Sequence, residues 1–336
     1  MRLRKTQSLL FFFLMSTIFF PFLRVSSMVN ASYQILPNSG TIYYPPPPVV
    51  WEFWTENSYW RMKIPENAPL HPDSDKMVEW LKGPGSNYQN GHVIVNWQAW
   101  TKPIYDASED TPKVTVYKSN GRTVRFYNVP IDPSWEPASD ADHSIGIIDW
   151  SGWKYYDFWN IFYEGGVWKS GAGYVYDLDS TGVAPNRVWT VGGSSTPFLA
   201  MAIRDEEIEA GVINHPLSCC LKTPKQGVKV YPPAATTDGK SLDTYAIPEG
   251  ARIQLDPNLD LDSLGLSRTA RIIAKAMQEY GIVVKESGGA WALYAEHKLS
   301  ANCGSDMSNG VLHNLPTDKW RIVDYSVFGA TEEAYP

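Results

Sequence analysis

The sequence SIGIIDWSGWKYYDFWNIF at residues 144–162 decides the fold, because it contains two strand-like runs joined by a short turn. Ser144–Asp149 and Lys154–Phe162 are rich in Ile, Tyr, Trp and Phe, which favour β-strands. Trp150–Trp153 lies between them and contains Gly152, as is typical of a tight hairpin. The stretch therefore predicts two antiparallel strands.

The same strand signal recurs along most of the chain. Further runs of this composition are bounded by Gly, Pro, Asn or Asp residues. They are His92–Trp97, Lys113–Tyr117, Thr123–Tyr127, Gly173–Leu178, Gly227–Tyr231 and Arg252–Leu255. Lys118–Arg122 contains Asn120-Gly121, which favours a second tight hairpin. This pattern predicts a mainly β protein, an antiparallel β-sandwich or jelly-roll-like fold with one or two packed helices.

Two segments predict helices. Asp73–Gly83 contains an N-cap candidate, an apolar stripe and a terminal glycine. Ser267–Tyr280 has Ser267 as its N-cap, apolar residues at helical spacing, and Gly281 as a left-handed stop. The strand Ile282–Lys285 follows it directly, so we expect this helix to pack against the sheet.

The first 31 residues indicate export. Met1–Lys5 carries three basic residues, and Leu9–Phe22 is an almost purely apolar run of 14 residues. That run is shorter than the roughly 20 residues of a membrane-spanning helix. Val29–Ala31 offers small residues where a signal peptidase would cut. We therefore expect a signal peptide over residues 1–31 and a protein that is secreted, extracellular or on the cell surface. It would have no stable membrane anchor after cleavage; an uncleaved N-terminal anchor is the alternative.

The rest of the chain predicts a linker and one domain. Residues 32–50 contain Pro45–Pro48, a polyproline spacer that cannot join a sheet interior. Residues 51–336 are expected to form a single β-rich domain, with residues 51–140 as a candidate N-terminal subregion. Removing residues 1–31 takes away four basic residues and no acidic one, which lowers the formal net charge from −7 to about −11. Such a chain repels phosphate backbones, so nucleic acid is an improbable partner.

Three cysteines occur, the vicinal pair Cys219 and Cys220 and the distant Cys303. In an oxidising compartment, one disulfide from the pair to Cys303 is expected to be feasible, leaving one thiol over. A zinc site is disfavoured, because the sequence contains no second cysteine pair and no His-x-x-x-His spacing.

Aromatic residues are unusually frequent, with 14 tryptophans and 19 tyrosines. Sugar rings present apolar C–H faces that stack on aromatic rings, while their hydroxyls bond to nearby polar groups. A single aromatic residue more often fills a core, but the whole set in an exported protein predicts contact with a polysaccharide or cell-wall glycan. Several of them cluster, at Trp51, Trp54, Tyr59 and Trp60, at Trp97 and Trp100, and at Trp150, Trp153, Tyr155, Tyr156 and Trp159.

Ionisable residues lie beside the hairpin. Side-chain alternation puts Tyr155, Asp157 and Trp159 on one face of the second strand, and Asp142 and His143 come just before the first. An acid between two aromatic residues resembles the wall of a sugar-binding cleft. A solvated strand face is the alternative.

A second acidic segment, Arg204–His215, contains Glu206, Glu207 and His215. Its acids could instead form the first turn of a short helix that ends at Gly211. The proline after His215 holds that residue in an extended conformation. From the two segments together, the predicted substrate contacts are Tyr155, Trp159, Trp153, Asp142 and Glu206.

Several motifs occur in order between Asp142 and Asp306. They are Thr196–Arg204, Glu206-Glu207, Gly211-x-Ile213-x-His215, the Pro-x-Gly-x-Arg pattern in Ile247–Arg252, Ala270–Gly281 and Gly304–Asp306. Together they resemble a widespread family of uncharacterised secreted microbial β-rich proteins, over about half of the chain. The resemblance implies His143 and Asp157 as site residues, with Asp157 replacing a Glu and Pro216 an Ala. It names no reaction and is compatible with a carbohydrate-active protein.

These residues predict a secreted polysaccharide-degrading enzyme, a glycoside hydrolase with paired carboxylates. Such an enzyme needs one protonated and one ionised carboxyl group, about 5–5.5 Å apart for retention or about 6.5–9.5 Å apart for inversion. The predicted pair is Asp157 and Glu207, with Glu207 as general acid or base. His143 and His215 would orient the sugar or tune the carboxyl pKa values.

Three alternatives stay open. A polysaccharide lyase would use His215 or Tyr155 as its base, although an acidic chain disfavours a polyanionic substrate. A non-catalytic glycan-binding or cell-surface protein would need the aromatic residues only. His143, Asp157, Glu207 and His215 could instead hold a divalent metal, although no compact ligand spacing supports this and no other cofactor is predicted.

Overall fold

The computed structural model describes residues 34–35, 42–43, 53–86 and 91–335. The chain divides into two compact units, residues 1–47 and 48–336. In the first unit, strands β1 (Gln34–Ile35) and β2 (Ile42–Tyr43) pair antiparallel. The predicted signal peptide and the prolines 45–48 lie outside the described residues.

The described part of the second unit consists mainly of strands, with three α-helices. The helices are α1 (Ser74–Trp80), α2 (Asp205–Ala210) and α3 (Arg268–Glu279). The strands are β3 (Ile94–Asn96), β4 (Ile104–Ala107), β5 (Lys113–Lys118), β6 (Val124–Pro130), β7 (Ile145–Asp149), β8 (Lys154–Glu164), β9 (Val167–Asp177), β10 (Leu217–Leu221), β11 (Val228–Tyr231), β12 (Arg252–Leu255), β13 (Ile282–Ser287), β14 (Ala292–Tyr294), β15 (Trp320–Ile322) and β16 (Thr331–Ala334). Single helical turns cover Leu81–Gly85, Leu261–Leu264 and Tyr325–Phe328.

Two six-stranded sheets form the body of this unit. Sheet I has the order β15-β12-β13-β10-β14-β3, and sheet II has the order β4-β7-β8-β9-β5-β6. The predicted mainly β, sandwich-like fold is confirmed. Both sheets are mixed, because β10 and β13, β14 and β3, β4 and β7, and β5 and β9 pair parallel within them.

The predicted hairpin at residues 144–162 forms the centre of sheet II. β7 and β8 pair antiparallel from Ile145 opposite Phe158 to Asp149 opposite Lys154. The Asp149 carboxylate closes the turn, since its Oδ1 accepts hydrogen bonds from Ser151 N at 3.1 Å and Gly152 N at 2.9 Å. An aspartate that satisfies the turn's own amides explains why this short segment reverses the chain.

Side-chain alternation separates three apolar cores. On β10, Cys219 faces a core that contains residues of α1 and α3, and Cys220 faces the opposite side. The second core lies between the sheets, because it combines Cys220 with Tyr155 and Tyr176 of sheet II. The third core covers the other face of sheet II and includes Tyr156. The layers therefore follow the order helices, sheet I, sheet II.

The predicted helix after Ser267 is α3, and its ends follow the local sequence. The Ser267 side chain accepts a hydrogen bond from Ala270 N at 3.3 Å, and Gly281 adopts a φ of +74° just past the end. Its apolar face, including Ile273 and Met277, is buried in the core on sheet I. No helix among the described residues is long and apolar enough to cross a membrane.

The expected disulfide does not form. Cys219, Cys220 and Cys303 are all free and buried. Because Cys219 and Cys220 are neighbours on one strand, they face opposite sides of sheet I. The Cys303 thiol instead lies 3.8 Å from the carbonyl oxygen of Ile203 and 3.7 Å from that of Glu296.

The central position of β10 predicts a large stability effect. Leu217 is fully buried and pairs with Ile282 of β13. Leu217→Ala should lower the free energy of unfolding by about 2–5 kcal/mol, because it leaves a cavity in the core. Leu242→Ala is the control, since Leu242 is 87% exposed and surface changes stay within about 0.5 kcal/mol. Urea unfolding measures both, and equal effects would contradict the described core.

Candidate functional site

A cleft of about 840 Å³ is lined by residues of both sheets and of the loops beside them. Sheet I contributes residues of β3, β10, β13 and β14, and sheet II contributes Trp159 of β8 and Ala172 of β9. Connecting segments also line the cleft, among them Trp100–Lys102 and Trp189–Gly193. A concave site of this size is typical of small-ligand binding.

Three tryptophans of the cleft are partly open to solvent. Trp100, Trp159 and Trp189 are 54%, 41% and 53% exposed. The indole edges of two of them are held by hydrogen bonds, from Trp159 Nε1 to Asp142 Oδ1 at 2.9 Å and from Trp189 Nε1 to the Tyr335 hydroxyl at 3.2 Å. These contacts orient the rings while leaving part of their surface free to stack on a ligand.

Asp157 lies behind the cleft in a buried ion pair. Its Oδ1 accepts a hydrogen bond from the Lys102 ammonium, and its Oδ2 accepts one from Phe198 N at 3.2 Å. The Asp157 side chain is fully buried, and Lys102 separates it from the cleft that Lys102 lines. Both carboxylate oxygens are therefore occupied by the protein itself.

Lys285, Glu286 and Tyr294 form a polar group on the sheet I side of the cleft. Lys285 Nζ donates to the carbonyl oxygens of Thr196 at 2.8 Å and Val191 at 3.3 Å. The Tyr294 hydroxyl donates to Glu286 Oε1 at 2.6 Å. Burial lowers the pKa of Lys285, although the negative charge of Glu286 opposes this, and burial raises the pKa of Tyr294 well above its usual value.

A diglycine, Gly192-Gly193, separates two carboxylates of the cleft. A Cβ atom on Gly192 would lie 2.6 Å from Glu286 Oε2, and one on Gly193 would lie 2.7 Å from Asp238 Oδ1. Gly192 also has a φ of +81°, which other residues rarely adopt. The absence of side chains here lets both carboxylates pack against one short backbone segment.

Glu207 and His215 are brought together elsewhere, beneath α2. Glu207 Oε1 lies 2.9 Å from His215 Nε2, and Glu207 Oε2 accepts a hydrogen bond from Arg204 N at 3.1 Å. Both side chains are fully buried, and neither is among the described residues that line the cleft. Glu207 therefore caps the N-terminus of α2, which ends at Gly211 with a φ of +85°, as the alternative interpretation expected.

The other predicted site residues are dispersed. Trp159 and Asp142 line the cleft. His143 is exposed with a φ of +41° and lines a different pocket, on the outer face of sheet II. Tyr155 is fully buried in the core between the sheets, and Trp153 packs against that core from a partly buried position.

Glu206 lies at the start of α2, in a network of charges. Arg204 NH2 lies 3.0 Å from Glu206 Oε1, and Arg204 Nε donates to Glu296 Oε2 at 3.3 Å. The Glu206 side chain is 49% exposed, and partial burial of its carboxyl group raises its pKa to about 7, despite the opposing charge of Arg204. Glu206 is not among the described residues that line the cleft.

The part of the chain that the structure describes contains no group of three or more His, Cys, Asp or Glu side chains placed to hold a metal ion. Comparisons with protein-family models, with curated proteins and with solved structures find no match for this chain. The resemblance to secreted microbial proteins therefore stays a prediction.

The sequence patterns do not indicate several residues of the cleft, namely Lys102, Trp189, Asp238, Lys285, Glu286 and Tyr294. None belongs to a motif with compact spacing. The signals that could have found them are the glycine doublets Gly192-Gly193 and Gly288-Gly289, since both line the cleft and paired glycines often mark a close backbone approach.

The raised pKa of Glu206 predicts a pH-dependent stability. The folded protein binds this proton more tightly than the unfolded chain does, so stability should fall as pH rises from about 4.5 towards about 7. Glu206→Gln should remove this pH-dependent loss of stability, and the control Glu209→Gln, at another exposed position of the same helix, should leave the loss unchanged. Unfolding midpoints of the parent protein and the variants, measured from pH 4 to pH 8, test this. If the midpoints of the parent and of Glu206→Gln differ by the same amount at every pH, the prediction is wrong.

Proposed function

We propose that the protein is exported and that its cleft binds a neutral glycan chain, which it hydrolyses. The observation that carries the proposal is the set of three half-exposed tryptophans, Trp100, Trp159 and Trp189, around one concave site. Oriented indoles offer flat apolar surfaces to sugar rings, and the polar groups between them can bond to hydroxyls.

The charges of the cleft favour an uncharged sugar. Three carboxylates line it, those of Asp142, Asp238 and Glu286. Its two lysines are engaged by the protein, because Lys102 pairs with Asp157 and Lys285 donates to main-chain carbonyls. A lyase needs free positive charge to neutralise a uronate carboxylate, so this lining supports the hydrolase over the lyase.

Asp238 and Glu286 are the carboxylates best placed for hydrolysis. They flank the diglycine and line the cleft, where a bound sugar can reach them. One carboxyl group would protonate the glycosidic oxygen as its bond to the anomeric carbon breaks. The other would take a proton from the attacking water, or would attack the anomeric carbon itself and form a glycosyl ester that water then hydrolyses.

Asp157 and Glu207 are assigned supporting roles in this proposal. Both are fully buried, and each has its two oxygens engaged by neighbouring groups of the protein. Asp157 neutralises Lys102 at the cleft. Glu207 and His215 stabilise α2 and the chain that leads into β10.

A non-catalytic glycan-binding protein is the second candidate, because hydrogen bonds within the protein engage the carboxyl groups of both Asp238 and Glu286. Glu286 accepts a hydrogen bond from Tyr294, and Asp238 accepts one from Ser287 N at 2.9 Å. These hydrogen bonds hold the two carboxyl groups in fixed positions, which would suit the binding of sugar hydroxyls without hydrolysis.

Tryptophan substitutions test glycan binding. Trp159→Ala and Trp189→Ala should each weaken binding to the best-bound polysaccharide at least about fivefold, the loss of roughly 1 kcal/mol of stacking. Trp150→Ala is the matched control, because Trp150 is 46% exposed and is not among the described cleft residues. Isothermal titration against a polysaccharide panel measures the effect. Equal weakening by all three changes would argue against this cleft as the site.

Carboxamide substitutions separate the two candidate functions. Asp238→Asn and Glu286→Gln should each lower hydrolysis at least about 100-fold, the scale of general acid–base catalysis, and Glu286→Gln should weaken binding much less. Reducing-end release and ultraviolet absorbance from unsaturated sugars are measured on the same panel. Binding without any product from the parent would favour the binding protein, and ultraviolet-absorbing product would favour a lyase.

A further inference from the structure

Asp238 is clamped at the end of β13. It lies on the connection between β11 and β12, and its Oδ1 accepts a hydrogen bond from Ser287 N at 2.9 Å. The Ser287 hydroxyl donates to the main-chain oxygen of Asp238 at 3.3 Å. Asp238 itself lines the cleft beside Glu286. Its position therefore depends on contacts behind the cleft wall.

Glu249 is one of those contacts, and it is fully buried. Its Oε1 accepts a hydrogen bond from Asp238 N at 3.4 Å, and its carboxyl group interacts with that of Asp238. A Cβ atom on Gly193 would lie 2.8 Å from Glu249 Oε1 and 2.7 Å from Asp238 Oδ1. The two carboxyl groups are thus enclosed together against the diglycine.

Charge decides which of the two carries a proton. Among the described residues, Glu249 has no cationic side chain within the 4.0 Å of an ion pair. The charges that act on the pair are those of Glu286, which disfavours ionisation of Glu249, and of the lysines Lys240 and Lys285. A buried carboxylate without a paired cation is costly, so we expect Glu249 to be the protonated member of the pair and to donate to Asp238.

The pKa directions agree with this geometry. Burial, followed by the hydrogen bond and the negative charge of Asp238, raises the pKa of Glu249 well above its usual range. Burial also acts to raise the pKa of Asp238. The hydrogen bonds from Glu249 and Ser287 outweigh it, so the pKa of Asp238 is lowered.

We infer that Glu249 is a positioning residue that holds Asp238 ionised and oriented toward the glycan. The inference rests on the proposed function, since it assumes that the cleft receives a glycan. Glu249 does not line the cleft among the described residues and would act only through Asp238. Binding that uses the Asp238 carboxylate would then persist at acidic pH and be lost as pH falls through the lowered pKa of Asp238.

The test compares Glu249→Gln with Glu249→Leu in the full-length protein. The Gln amide can still donate to Asp238, whereas Leu cannot. Carboxyl-carbon NMR titration should show an unchanged pKa of Asp238 in Glu249→Gln and a rise of about one to two units in Glu249→Leu, the equivalent of one hydrogen bond to a charged group. The acid limb of glycan binding, measured by titration calorimetry, should move to higher pH by the same amount.

An Asp238 titration in Glu249→Leu that matches the parent would overturn the inference. If Glu249→Leu does not fold, Asp238→Asn gives an independent check. Removing the Asp238 charge should lower the pKa of Glu249. An unchanged Glu249 titration in Asp238→Asn would also overturn the inference. The NMR readout needs no glycan. A shifted Asp238 titration together with no binding by any variant would therefore reject the proposed function and leave the Glu249–Asp238 coupling supported.

Discussion

The ion pair of Asp157 with Lys102 links the parts of the molecule on which the cleft depends. Asp157 lies in β8, at the centre of sheet II, and Lys102 lies on the connection from β3 of sheet I to β4 of sheet II. Phe198, whose N–H also binds Asp157, belongs to the segment that leads towards α2 and β10. A buried charge requires such matched partners, and losing one costs about 3–5 kcal/mol. Both connections are therefore held in place by one carboxylate.

The cleft is built on top of this arrangement. Lys102 faces it from the ion pair, and Lys285 ties the loop at Val191 and Thr196 to β13 through two main-chain carbonyls. Because the charge of Lys102 is paired with Asp157 and the Lys285 ammonium is engaged by carbonyls, the carboxylates of the lining dominate its character. Stacking surface and hydrogen-bond acceptors together suit a neutral sugar better than a polyanion.

Local elements were predictable where nearby residues decide them. The hairpin at residues 144–162 has its own closing aspartate, Asp149, and α3 has its own cap and glycine stop. The parallel pairings within both sheets were not predictable, because a parallel strand pair joins segments far apart in the chain. The expected bridge to Cys303 also depended on tertiary structure, which places the Cys303 thiol against the main-chain carbonyls of Ile203 and Glu296.

In the candidate site, too, local sequence predicts some features and contacts between distant residues decide the others. The sequence by itself determined that the protein is aromatic-rich, acidic and mainly β, and that Asp142 and Trp159 lie beside the central hairpin. Only the tertiary structure decided that Asp157 is sealed behind Lys102, that Glu207 pairs with His215 under α2, and that Asp238 and Glu286 meet the cleft. The reason is physical: a carboxylate's role depends on its burial and its partners, and those partners come from residues distant in the chain.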